Sequence, residues 1–411
     1  QRSYSDKYNL IACAIGHHIY ESRWLRDPKY LDQIIHTWYR GNEGGPMKKM
    51  DKFSSWNADA VLARYMVDGD KDFMLDMKKD LETEYQRWER TNRLKNGLYW
   101  QGDVQDGMEE SISGGRKKKY ARPTINSYMY GNAKALSLMG ILSGDEEAAM
   151  RYGMKADTLK TLVDTELWNT RHQFFETMRT DSSANVREAI GYIPWYFNLP
   201  DTAKKYEVAW KEIMDEKGFS APYGLTTAER RHPEFRTRGV GKCEWDGAIW
   251  PFASAQTLTA MANFMNNYPQ TVLSDSVYFR QMELYVESQY HRGRPYIGEY
   301  LDEVTGYWLK GDQERSRYYN HSTFNDLMIT GLIGLRPRLD NTIEVNPLIP
   351  ADKWDWFCLD NVLYHGHNLT ILWDKNGDRY HCGKGLRIFV DGKEVGHADT
   401  LTKVVCENAL K

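Results

Sequence analysis

The chain has 411 residues, a formal net charge of −3, 27% charged residues and 41% hydrophobic ones. That is the balance of a soluble globular protein, with no field to draw it to nucleic acid or an anionic membrane. No apolar run approaches the ~18 residues of a membrane span. A disordered, collagenous, membrane or nucleic-acid-coating protein is excluded, and one large domain plus a small one fits the length.

From about residue 8 to 335, apolar residues recur at helical spacing. The pattern predicts helices over 58–66, 73–88, 125–142, 146–167, 203–214, 249–264 and 279–290. Ser143-Gly-Asp-Glu146 reads as a capping box, and Asp201-Thr202 as an N-cap after Pro200. Aromatic hairpin-like segments fall between the helices: 96–103, 168–175 and 302–312. The first and third share a Tyr-Trp pair and a following Gly-Asp. Such recurrence describes helix pairs joined by elaborate loops at one end. Closed on themselves, the pairs make an α/α toroid with a pocket at the loop end. Left open, they make a solenoid, and periodicity alone admits both. After Gly334, β-branched alternation with Asn, Asp, Gly and Pro turns predicts a small β-sandwich. The expected division is a barrel over 1–336 and a β-sandwich over 337–411.

The 14 Trp and 27 Tyr sit largely in segments containing Gly, Asp or Asn. Such rings suit the CH faces of sugars, while carboxylates and amides pair with the hydroxyls. Cys13, Cys243, Cys358, Cys382 and Cys406 are odd in number and form no CxxC pair, which speaks against a disulfide scaffold or a cysteine zinc site. The chain starts at Gln1 with no initiator Met and no signal peptide, and reads as a mature or trimmed chain, with a periplasmic or secreted location favoured over a cytoplasmic one.

Three segments could carry chemistry. Residues 102–115 crowd Asp103, Asp106, Glu109 and Glu110 with four glycines. Glycines permit sharp turns, and clustered carboxylates raise one another's pKa, which keeps a general acid protonated near neutrality. Residues 241–252 set Trp245 and Trp250 around an acidic turn that opens a helix. Residues 296–306 place Glu299 beside Gly298, whose missing side chain leaves room for a water. No GxGxxG, P-loop or GxSxG motif occurs. His17-His18 and His365-Gly-His367 lack zinc-ligand spacing and read as structural.

In this order the segments resemble (α/α)6 glycoside hydrolases, nearest to glycoside hydrolase family 63, with trehalases more distant. Asp106-Gly-Met-Glu109 is similar to the family's general-acid segment, with Glu109 on the acid position and Asp106 where Ser is commoner. Trp245-Asp-Gly-Ala-Ile-Trp250 resembles a Trp-Arg-Gly-Pro-x-Trp element, with Asp246 for Arg. Glu299-Tyr-Leu-Asp-Glu-Val-Thr-Gly306 matches the element holding the catalytic base. Asn320–Asp326 occupies the place of the segment that opens the last barrel helix. The resemblance spans roughly 50–335 and, more loosely, the β-tail; the family's amino-terminal β-domain has no counterpart here.

The resemblance implies an inverting, exo-acting glycosidase of α-linked oligosaccharides or small glycosides. Glu109 would protonate the leaving oxygen, Glu299 would deprotonate the attacking water, and Asp106 would assist. Trp56, Trp100, Tyr128, Trp245, Trp250 and Tyr300 are candidate sugar platforms. Asn126, Glu229, Asp246 and Asp106 are candidate hydroxyl partners. No cofactor or metal is required, and neither nucleic acid nor membrane is a partner. A sugar epimerase of similar shape, with His321 as one of two histidine acid/bases, is the competing reading, followed by a non-catalytic carbohydrate-binding role.

Overall fold

The computed structural model describes residues 12–41 and 52–411. The start of the helical pattern near residue 8 lies outside them. Ten α-helices follow in chain order: α1 (Ile15–Ser22), α2 (Lys29–Arg40), α3 (Asn57–Asp68), α4 (Lys71–Asn92), α5 (Pro123–Ser143), α6 (Glu146–Leu162), α7 (Ile193–Tyr196), α8 (Pro251–Asn267), α9 (Asp275–Glu287) and α10 (Phe324–Leu327). Burial sorts them into two layers. In α5 and α8 nearly every residue through the first two thirds is buried, as an inner helix requires. In α4 only Met74, Met77, Leu81, Tyr85, Trp88 and Asn92 are buried, one stripe at three- and four-residue spacing, which suits an outer helix.

The inner layer closes. α1 packs on α3, α3 on α5, α5 on α7, α7 on α8, α8 on α10, and α10 returns to α1. This settles the choice between solenoid and toroid: the domain is an (α/α)6 barrel, with α4, α6 and α9 outside α3, α5 and α8. Pro123 and Pro251 occupy the first turns of α5 and α8, where a missing N–H costs nothing.

Three local expectations are corrected. The cap of α6 is Asp145, whose carboxylate accepts from Ala148 N at 3.0 Å, while Ser143 donates back to Gly140 O. Gly144, at φ 75°, terminates α5 first, so the cap must fall one residue after it. The helix expected at 203–214 is a 3-10 stretch, Lys204–Ile213, without a side-chain cap; Asp201 instead pairs with Lys160 at 2.8 Å. The helix expected to reach 167 ends at Leu162 and continues as a wider π turn, Val163–Leu167.

Short hairpins join the helices: β1 (Trp168–Asn169) with β2 (Phe174–Phe175), β3 (Ser220–Ala221) with β4 (Gly224–Leu225), and β5 (Tyr290–His291) with β6 (Arg294–Pro295). The C-terminal region holds β7 (Ile343–Val345), β8 (Trp356–Tyr364), β9 (His367–Asp374), β10 (Gly385–Val390), β11 (Lys393–Ala398) and β12 (Val404–Cys406). They form a four-stranded antiparallel sheet, β11-β10-β9-β8, and a β12-β7 pair that meets it through β11, the β-sandwich expected from the alternation. The β8–β9 turn docks on the end of α3, where His365 N donates to Val67 O at 2.7 Å.

Candidate active site

The loops that carry the three acidic segments run into the N-terminal ends of α5, α8 and α10, at one mouth of the barrel. A strut of four residues, 236–239, ties them together. Arg238 donates to Ile112 O at 2.7 Å, on the acidic loop. The backbone N–H groups of Arg238 and Gly239 donate to Asp246 Oδ2 at 2.6 and 2.9 Å. Arg236 pairs with Glu244 at 2.7 Å and Glu303 at 2.9 Å. Neither arginine stands out by spacing in the sequence. Only the closed barrel gives them these partners.

Within the acidic loop, Asp106 is buried and its Oδ2 accepts from Gln101, Thr124 and Arg122 at 2.7, 2.7 and 2.8 Å. Asp106 and Arg122 form an ion pair with no side-chain exposure on either partner, and the loop's charge is thereby anchored to α5. Glu109, three residues on, is only partly buried. Burial raises its carboxyl above the ordinary glutamate range, Arg116 works against the rise, and the charges of Asp106 and Asp103 add to it. Asp103 itself is pushed up to about 6 by burial.

The charges of Glu109 and Glu299 both reach one side chain. The Cys243 thiol, pushed up to about 11 chiefly by burial, is raised further by the charge of Glu109 and by that of Glu299, with Lys310 and Arg116 opposing. Residues 190 positions apart in the chain (299 − 109) thus both act on one thiol through their charges. Cys13, at the entrance to α1, borders the same loop, since a Cβ on Gly107 would lie 3.3 Å from its Cβ. At Gly298 the space expected for a water is taken: a Cβ there would stand 2.5 Å from Tyr296 and 2.6 Å from Trp308.

The other expected residues divide. Trp245, Trp250 and Tyr300 stack face to face, with centroids 4.1 and 4.3 Å apart and planes within 15°. Both faces of Trp250 are therefore occupied, which corrects its expected place as a sugar platform. Trp56 is 0% exposed and packs with His17, Tyr128 and Tyr196, so it and the buried Tyr128 are core rings rather than open faces. Trp100 is partly exposed, with the Lys119 ammonium 4.6 Å from its ring. Asn126 spends its amide on Tyr99 N, Tyr99 O and Arg122 O, pinning the Trp100 segment. Glu229 is committed to Arg187, at 2.7 Å. Asp246 is buried in the strut described above. His321 lies 5.5 Å from His18 and 4.6 Å from Tyr319. Among the described residues no group of three or more His, Cys, Asp or Glu could hold a metal ion.

The fold is an α/α barrel, and the family match makes it a glycoside hydrolase domain. The chain belongs to the family of mannosylglycerate hydrolase MGH1-like glycoside hydrolase domains, whose model matches residues 7–322. Residues 335–397 match the C-terminal domain of glycosyl hydrolase family 65. Among solved structures, a protein named a sialidase is 96% identical, with a TM-score of 0.98; the match covers 100% of this chain and 38% of that one. The chain thus spans little more than a third of that protein. A family 63 mannosylglycerate hydrolase from Thermus thermophilus, in complex with glucose, is 12% identical over 78% of this chain and 92% of that chain, with a TM-score of 0.58. The same enzyme with Tris and D-glycerate gives 12%, 78%, 92% and 0.59. Those likenesses show the fold. Family membership favours hydrolysis over the epimerase reading, while the His18 and His321 rings lie 5.5 Å apart. Among the described residues no helix is long and apolar enough to cross a membrane.

Proposed function

We propose that this glycoside hydrolase is inverting and exo-acting on α-linked oligosaccharides or small glycosides, with Glu109 as general acid, Glu299 as general base and Asp106 holding the acid loop. One observation supports the reading: the charges of both glutamates raise the Cys243 thiol, and the loops that carry them lie at one mouth of a closed barrel. An inverting enzyme needs two carboxyl groups on opposite sides of a sugar, ~6.5–9.5 Å apart. It needs an acid that holds its proton longer than an ordinary glutamate, and burial raises the Glu109 carboxyl in that direction. The catalytic unit is the barrel, residues 1–336, and residues 337–411 form its supporting β-domain.

The sialidase name suggests a second chemistry, since sialidases use a tyrosine nucleophile. A nucleophilic tyrosine must ionise readily. Burial and the charges of Glu244 and Glu299 instead push the Tyr300 phenol far upward, and its hydroxyl donates to Lys242 O at 2.5 Å. The tyrosine beside Glu299 is thus held neutral.

Glu109→Gln and Glu299→Gln should each fold normally and lose about 10²–10⁴-fold in kcat on a hydrolysed glycoside, because each removes one proton-transfer partner. Proton NMR in the first minutes of hydrolysis should show the product anomer opposite to the substrate. A product of unchanged configuration refutes inversion even if both variants are inactive.

A further inference from the structure

A cavity of about 380 Å³ lies in the barrel toward the C-terminal ends of the inner helices, away from the loops that carry Glu109 and Glu299. All six inner helices line it, from Arg23 at the end of α1 to Thr330 beyond α10, and the segment leading to β7 closes it with Arg336 and Arg338. Its volume is that of a pocket for a small metabolite.

The charges in its wall do not cancel. Asp326 is spent on Arg23 at 2.8 Å, and Glu344 on Arg338 and Lys403 at 3.0 and 2.7 Å. Arg336 donates only to neutral oxygens, Thr330 O at 3.1 Å and Asn263 Oδ1 at 2.6 Å. Among the described residues it has no ion-pair partner, and its burial draws its pKa down. Lys134, exposed on α5, has no hydrogen bond or ion pair among them either. The remaining wall carboxylate, Asp59, accepts from Tyr20 OH at 2.7 Å and is pushed up to about 6 by burial, against the charges of Lys134 and Arg23. The pocket therefore holds one positive charge in excess at neutral pH, rising to two when Asp59 is protonated. A guanidinium held among neutral oxygens and an exposed ammonium without a hydrogen bond among the described residues are donors that a carboxylate or phosphate group completes.

The geometry points to a binding site for a small oxyanion, a phosphate- or carboxylate-bearing metabolite, in the axial pocket between Lys134 and Arg336. Its occupant would bridge α5 and the segment that enters the β-domain.

The test is calorimetric titration of the whole chain at fixed ionic strength, with inorganic phosphate in one arm and succinate in the other. Saturable binding of either anion is expected, and the stronger arm identifies the group preferred. Lys134→Met, an exposed change, should weaken binding about tenfold or more by removing one charge-assisted hydrogen bond, and Lys134→Arg should restore it. Arg116→Ala, which removes a cation at the opposite mouth, should leave it unchanged. Failure of both anions to bind overturns the proposal, as does binding indifferent to Lys134→Met or equally weakened by Arg116→Ala.

Discussion

Asp103 and Glu109 belong to one loop, and the charge of the first raises the carboxyl of the second. Asp103→Asn removes that negative charge, so the Glu109 carboxylate forms more easily and its pKa falls. If Glu109 is the acid, activity requires it protonated, and the alkaline limb of kcat/KM should move to lower pH, with kcat at the optimum changing less than threefold or so. A limb that stays in place assigns it to another group. The acidic loop itself was legible in the sequence, because four carboxylates among four glycines are conspicuous. Its supports were not. Arg122, Arg236 and Arg238 look like any surface arginine, and they gain their role only when residues 16, 67 or 126 positions away arrive beside them.

Between elements, Glu84 on α4 accepts hydrogen bonds from Tyr39 on α2 and Asn57 on α3, joining three helices at one carboxyl. Burial pushes it up from 4.5 to about 7. In that window the folded chain binds a proton that the unfolded chain has released, so this contribution to stability is full below 4.5 and is lost as pH rises to 7. Glu84→Gln stays neutral throughout. Its melting temperature relative to the parent should rise with pH across that range, by the equivalent of about 1–3 kcal/mol, and level off above it. A parallel pair of stability curves would contradict this. The inner and outer helices were read well from periodicity, whereas the cap of α6 and the 3-10 character of 204–213 were not: Gly144 ends α5 in the left-handed conformation and moves the cap of α6 to Asp145.

At the scale of the molecule, the β-domain is bound to the barrel by Asn346 to Asn266 and by the Tyr364–His365 turn to α3. Phe279 of α9 also packs against Trp354. With these contacts shared, the chain should unfold in a single calorimetric transition, and His365→Ala, which loses contacts to Met66 O and Arg338 O, should lower its midpoint by the equivalent of about 1–2 kcal/mol without splitting it. Two resolved transitions would mean that the barrel and sheet are independent.

The sequence by itself determined what depends on near neighbours: the helical and β periods, the change of character after Gly334, the acidic loop, and the motif order that resembles family 63. These are properties of spacing, and spacing survives without a fold. Ring closure, the shared charge of Glu109 and Glu299 on Cys243, the stacking of Trp250 with Trp245 and Tyr300, and the excess positive charge around Lys134 and Arg336 were decided only by the tertiary structure. Each depends on which distant groups share a low-dielectric space, and there a charge or a ring face is either matched or left open by partners that the local sequence cannot specify.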